Sequence, residues 1–219
     1  MILVPATTHG RVLIEPDGGA AVFSGVLVGF HGYAQTADDM MGELSQIPGA
    51  DAWRRVSVQA LNRFYTRGDS KVVASWMTRE DRDVAIADNI AYVNSAIERS
   101  GTSAPEHKST RALVFAGFSQ GVAMAYRAAL LGARPATGII ALAGDIPPEF
   151  KTDVPTRNPW PKVLIGVGST EQWYSPDKVD DDVAFLTRRG IEHSIVRFEG
   201  GHEWTEEFRN AAGTFLAAL

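Results

Sequence analysis

Short apolar runs alternate with segments of helical periodicity along nearly the whole chain, and this alternation constrains the fold more than any other feature. Ala21 to Phe30, Arg54 to Ala60, Arg111 to Ala116, Gly138 to Ala143, Lys162 to Val167 and His193 to Phe198 read as buried strands, after a weaker one at Arg11 to Glu15. Helical patterns lie between them. Thr36-Ala37-Asp38-Asp39 is a capping-box-like start, followed by Met40, Leu44 and Ile47 on one face. Ile86, Ile90, Val93 and Ile97 mark a helix over Asp83 to Arg99, with Gly101 as its stop. Gln120 to Leu131 is helical. Ser175-Pro176 starts a helix that Val179, Val183 and Leu186 continue and Gly190 ends. Trp204, Phe208, Ala211 and Phe215 make the last helix amphipathic. This order predicts an α/β fold, a mainly parallel central sheet with helices on both faces. Ligands of such sheets sit beyond the carboxyl ends of the strands, so functional residues are sought just after each strand.

With 219 residues and no visible linker, a single domain over 1–219 is expected. The net charge of −5 opposes nucleic-acid binding, which needs a concentrated positive field. The absence of cysteine excludes disulfides and thiolate catalysis. No run approaches the ~20 apolar residues of a membrane span, and the first residues lack the pattern of a signal peptide. The expectation is a cytoplasmic protein without stable membrane association. There is no H-E-x-x-H, no phosphate-binding loop and no complete dinucleotide fingerprint, so no cofactor and no metal are implied.

Gly117-Phe118-Ser119-Gln120-Gly121 matches G-x-S-x-G, between a strong strand and a strong helix. In that turn the serine adopts a strained backbone and exposes its oxygen at a helix N-terminus, where developing negative charge is favoured. Ser119 is therefore the candidate nucleophile. His31-Gly32-Tyr33-Ala34 ends an early strand, where a second oxyanion donor would lie. The expected donors are the backbone N–H of Gln120 and that of Tyr33, with Ala34 as the lesser choice, and His31 is read as structural.

The base must lie beside Ser119, and a nucleophile elbow of this kind orders its triad serine, acid, histidine. His202, in Glu199-Gly200-Gly201-His202, fits; His107 reads as solvated, His193 begins a strand, and His9 is near the N-terminus. The acid should end a strand between Ser119 and His202. Glu171 is the candidate and Asp145 stays open as the alternative. Asp177 serves its helix dipole, and Asp180, Asp181 and Asp182 read as a solvated helix face.

These residues converge on a known group. Through HGYAQ, GFSQG, ALAGDIPP, GSTEQWYSP and EGGHEW, from about Val22 onward, the chain resembles the phospholipase/carboxylesterase family of α/β-hydrolases. That resemblance implies an α/β-hydrolase cleaving ester or thioester bonds with Ser119, His202 and Glu171, and a single domain of 219 residues leaves no room for a large lid. It departs at the acid, where the family usually has aspartate. A small-molecule ester is the expected partner, with a homodimer allowed. Phe64, Tyr65, Trp76, Met77, Trp173 and Trp204 are candidates for an apolar acyl pocket, for small to medium acyl groups. Two alternatives stay open: a catalytically silent small-molecule-binding protein on the same fold, and a serine peptidase.

Overall fold

The computed structural model describes residues 2–17, 22–102, 112–152 and 156–219. His107 lies outside them, as do Ala21 and Arg111, the first residues of two expected strands.

Among the described residues, seven strands form the central sheet: β1 (Val12–Glu15), β2 (Gly25–Phe30), β3 (Arg54–Val58), β6 (Ala112–Phe118), β7 (Gly138–Leu142), β8 (Lys162–Gly168) and β9 (His193–Phe198). Their order is β1-β3-β2-β6-β7-β8-β9. Only β1 runs antiparallel to its neighbour, so the sheet is mainly parallel as expected. The helices are α1 (Ala37–Ser45), α2 (Arg82–Ile97), α3 (Gln120–Leu131), α4 (Pro176–Arg188) and α5 (Glu206–Ala217). Among the described residues, no helix is long and apolar enough to cross a membrane.

Strand parity sorts the core into two layers, because alternate side chains point to opposite faces. Leu27, Val114, Ala116, Ile140, Leu142 and Leu164 face α1 and α5, meeting Met40, Leu44, Phe208 and Leu216. Their neighbours Val28, Phe115, Ile139, Ala141 and Ile165 face the other way, toward Val93 of α2, Val122 of α3 and Leu186 of α4.

The helix starts follow local chemistry. Thr36 and Asp39 make the reciprocal capping box that opens α1. Pro176 stands at the first turn of α4, although the Ser175 hydroxyl makes no capping bond. Gly190, at φ +64°, ends α4 in the left-handed conformation that glycine adopts freely.

A second, two-stranded sheet lies outside the sequence reading: the hairpin β4 (Asn62–Tyr65) and β5 (Val72–Ser75). Ala74 of β5 bridges to Gln35, which fastens the hairpin beside the loop that follows β2.

Candidate active site

The parallel register carries the loops after β2, β6, β8 and β9 to one end of the sheet. Phe30 pairs with Gly117, Gly117 with Ala141, and Gly168 with Phe198.

Ser119 stands between β6 and α3 at φ 53°, ψ −120°. A non-glycine residue at such a φ is strained by about 1–3 kcal/mol and persists only where its surroundings enforce it. The enforcement is visible. The Ser119 N–H donates to the Leu142 carbonyl at 2.9 Å, and its own carbonyl accepts from Val122 N–H at 3.0 Å. A methyl group on Gly117 would press on the Gly121 backbone, and one on Gly121 would strike the Phe30 and His31 carbonyl oxygens. Both glycines of the motif are thus required by close backbone approach.

On the far side, β8 and β9 exit together. Ser169 N–H donates to the Phe198 carbonyl and Thr170 N–H to the Gly200 carbonyl, both at 2.9 Å. A side chain on Gly168 would collide with the carbonyls of Gly200 and Gly201. This stitching sets Glu171 against His202: Nδ1 of the imidazole donates to Glu171 Oε2 at 2.7 Å. The Glu171 side chain is 1 % exposed. Its other oxygen, Oε1, accepts from the N–H groups of Trp173 (2.7 Å) and Tyr174 (3.4 Å). Burial works against ionisation of this carboxyl, but the Trp173 N–H and the bond to His202 outweigh it, and its pKa lies below the usual glutamate value. With the proton on Nδ1, Nε2 of His202 is left as the free base position. On the serine side the contact is one of rings. The imidazole packs on Phe118, the residue before Ser119, with centroids 4.9 Å apart.

Asp145 does not join this group. It pairs with Lys178 at 3.3 Å, so the contact with His202 belongs to Glu171 alone of the two.

The loop after β2 is equally determined. His31 is buried; its Nδ1 donates to the Gly32 carbonyl at 2.7 Å and its Nε2 accepts from Ala60 N–H at 3.1 Å. That pattern requires a neutral imidazole, in keeping with the lowered pKa that burial imposes. Gly32 N–H donates to Gln35 Oε1, and Ala34 N–H donates to the Ala74 carbonyl at 3.0 Å. The Ala34 N–H is therefore engaged, and of the two expected donors of this loop Tyr33 is the one still to be placed. The Gln120 N–H is the first of the four that a helix start leaves without an intrahelical acceptor. The Gln120 side chain is held by Trp76 N–H (2.9 Å), Ser75 Oγ and the Met77 carbonyl.

Two expected pocket residues are corrected. Trp76 is fully buried, packed edge-on against Phe30, with its indole N–H on the His31 carbonyl at 2.9 Å. Trp204 is buried against Phe208, with ring centroids 5.5 Å apart. Both belong to the core: Trp76 directly follows the buried end of β5, and Trp204, just before the Thr205 cap of α5, packs back on Phe208 of that helix. Trp173 and Tyr65 are exposed, at 72 % and 71 %. It is Phe64, on the opposite face of β4 from Tyr65, that stacks on Tyr33 at 5.4 Å.

Asp182 is also corrected. Asp180 and Asp181 are exposed, but Asp182 is buried. It lies three residues after Val179 and four before Leu186, so the helical phase already placed it on the apolar face of α4. The buried Arg127 of α3 is a second charge that the sequence reading passed over. It holds Glu149 at 2.8 Å, and Arg82 holds the other oxygen of the same carboxylate.

The model of the phospholipase/carboxylesterase family matches residues 72–218, a span that contains Ser119, Glu171 and His202. Among solved structures, a carboxylesterase from Bacillus cereus shares the fold at a TM-score of 0.69 and 16 % identity, over 95 % of this chain and 94 % of that one. A carboxylesterase from Mesorhizobium loti does so at 0.69 and 18 %, over 96 % and 95 %. A phospholipase/carboxylesterase from Dyadobacter fermentans does so at 0.61 and 20 %, over 97 % and 99 %. No curated protein matches the chain in sequence.

Proposed function

The chain belongs to the phospholipase/carboxylesterase family, and from that premise we propose that it is a serine hydrolase that cleaves carboxylic esters or thioesters through an acyl-enzyme on Ser119. One observation carries the reading: three loops at one end of the sheet supply a strained serine at a helix start and a histidine packed on Phe118, the residue before it. A buried glutamate lies 2.7 Å behind that histidine.

Each part has a role set by its environment. His202 takes the Ser119 proton through Nε2 as the oxygen attacks the carbonyl carbon. Glu171 keeps the Nδ1 proton in place and stabilises the imidazolium that forms. The N–H groups of Gln120 and Tyr33 hold the tetrahedral oxyanion, each such donor lowering the barrier by about 2.7–4 kcal/mol. The imidazolium then returns its proton to the leaving alcohol or thiol. Water, deprotonated by the same histidine, attacks the acyl-enzyme and releases the acid.

The exposed aromatic edge supports a small to medium apolar acyl group. Tyr33 stacks on Phe64 beside one oxyanion donor, and Trp173 stands two residues beyond the acid.

The test is turnover of p-nitrophenyl esters of graded chain length. Ser119→Ala should lose on the order of 10⁴-fold or more in kcat, and Glu171→Ala on the order of 10³- to 10⁴-fold. Asp145→Ala should stay near wild type. A wild-type protein that turns over none of these esters, and whose Ser119 a fluorophosphonate does not label, would sink the reading.

A further inference from the structure

We propose that Asp182 is a positioning residue for the acid of the site, holding Tyr174 and through it the Glu171 carboxylate against His202. The proposal rests on the reading of Glu171 given above.

The Asp182 side chain is 1 % exposed and yet carries three polar contacts. Lys151 Nζ lies 2.5 Å from Oδ1. Oδ2 accepts from the Tyr174 hydroxyl at 2.8 Å and from Ile146 N–H at 2.9 Å. Packing alone does not explain a carboxylate here, since an apolar side chain at this helical position would fill the space without the desolvation that a buried charge costs.

The partners explain it. They come from the loops after β7 and β8, and a second ion pair runs the opposite way. Asp145 in the first loop meets Lys178 on α4, whose Nζ also donates to the Trp173 carbonyl at 3.1 Å. The two residues whose N–H groups hold Glu171 Oε1 are therefore each tied to α4. Trp173 is tied by its carbonyl to Lys178, and Tyr174 by its hydroxyl to Asp182. The Tyr174 ring is itself buried, beside Val179, Ile146 and Phe150 in the same core. Glutamate has one more rotatable bond than aspartate, so its carboxylate needs more external fixing to keep one oxygen on a histidine. The anchored pair of N–H groups supplies that fixing, and Asp182 is the buried end of it. The charged and titratable groups around this cluster are Lys151, Lys178, Asp145, Tyr174 and the buried Tyr126.

The discriminating variant is Tyr174→Phe, which deletes only the hydroxyl and leaves the ring and the N–H to Glu171. On p-nitrophenyl butyrate kcat should fall on the order of 10- to 100-fold, as for a misplaced catalytic group. KM should change by less than about twofold. The acid limb of the kcat/KM profile should move to lower pH, because a loosened Glu171 stabilises the imidazolium less. Asp182→Ala should reproduce this loss. Asp182→Asn, whose amide oxygen still accepts from Tyr174, should recover part of it. In a Glu171→Ala background Tyr174→Phe should have no further effect, since the hydroxyl acts only through that carboxylate.

A wild-type kcat and pH profile in Tyr174→Phe, or a loss that multiplies in full with Glu171→Ala, would overturn the proposal. A readout independent of turnover separates it from the functional reading. The His202 Nδ1 proton, bonded to a carboxylate, should resonate far downfield in the proton NMR spectrum and shift or broaden in Tyr174→Phe. If the wild type hydrolyses no ester, the reading of the site fails, and an unchanged resonance in Tyr174→Phe counts separately against the positioning role.

Discussion

A methyl group at Gly121 would meet two carbonyl oxygens of the neighbouring strand end, and no side chain is there to yield. Gly121→Ala should push the elbow away from β2 and lower ester turnover by on the order of 100-fold, the cost of misplacing a nucleophile by about 1 Å. Thermal melting should show a destabilised fold alongside the loss. The sequence points to Ser119 by its glycine frame and to His202 by its place after the last strand, but the strand-end rule leaves Glu171 and Asp145 equivalent, and only the contact of Glu171 with His202 separates them. Roles that depend on which way a side chain turns are not legible there. Aromatics near loop starts such as Trp76 and Trp204 resemble a rim in sequence, whereas both rings turn into the core, Trp76 against Phe30 and Trp204 against Phe208. Asp182 was read with its acidic neighbours, although its spacing from Val179 and Leu186 outranks composition.

Arg127 and Glu149 join α3, α2 and the turn after β7, and the joint is asymmetric. Glu149 has a second partner in Arg82, whereas Arg127 is buried and has no other carboxylate within reach among its described contacts. Glu149→Ala should therefore cost about 3–5 kcal/mol, because it strands a buried guanidinium, and Arg127→Met should cost less. Urea denaturation of the two variants gives the comparison directly, and equal losses would refute the asymmetry. The main strands and helices were readable because each is a continuous run of one periodicity, and α3 begins and ends at the expected residues. The hairpin was not. Its strands are four residues each, and β4 opens on Asn62 and Arg63 and stays largely exposed, so it carries no apolar run; only β5 is buried, over Val73, Ala74 and Ser75.

Ionisation couples the site to the stability of the molecule as a whole. The pKa of Glu171 and that of Glu149 are both lowered in the folded state. A depressed carboxyl contributes stability above its unfolded pKa and loses it as pH falls through the folded value. Buried Asp182 has the opposite sign, its pKa being raised chiefly by desolvation, so its contribution is full below the unfolded aspartate value and fades as pH rises through the folded one. Melting temperature should thus fall on acidification below the ordinary glutamate range, and Glu171→Gln should flatten that fall. A slope identical to wild type would show that Glu171 is not ionised against His202. The parallel sheet that brings these groups to one end was the most legible feature of all, since strand–helix alternation admits few other layouts. The hairpin adds something the alternation does not contain. Ala74 fastens Ala34 and Gln35, while Ser75, Trp76 and Met77 fasten Gln120. One short segment, Ala74 to Met77, thus ties the loop after β2 to the start of α3, the two places where the proposed function puts its oxyanion donors. On that reading, a change in this segment would reach both donors at once, while the Glu171–His202 contact is built on other loops.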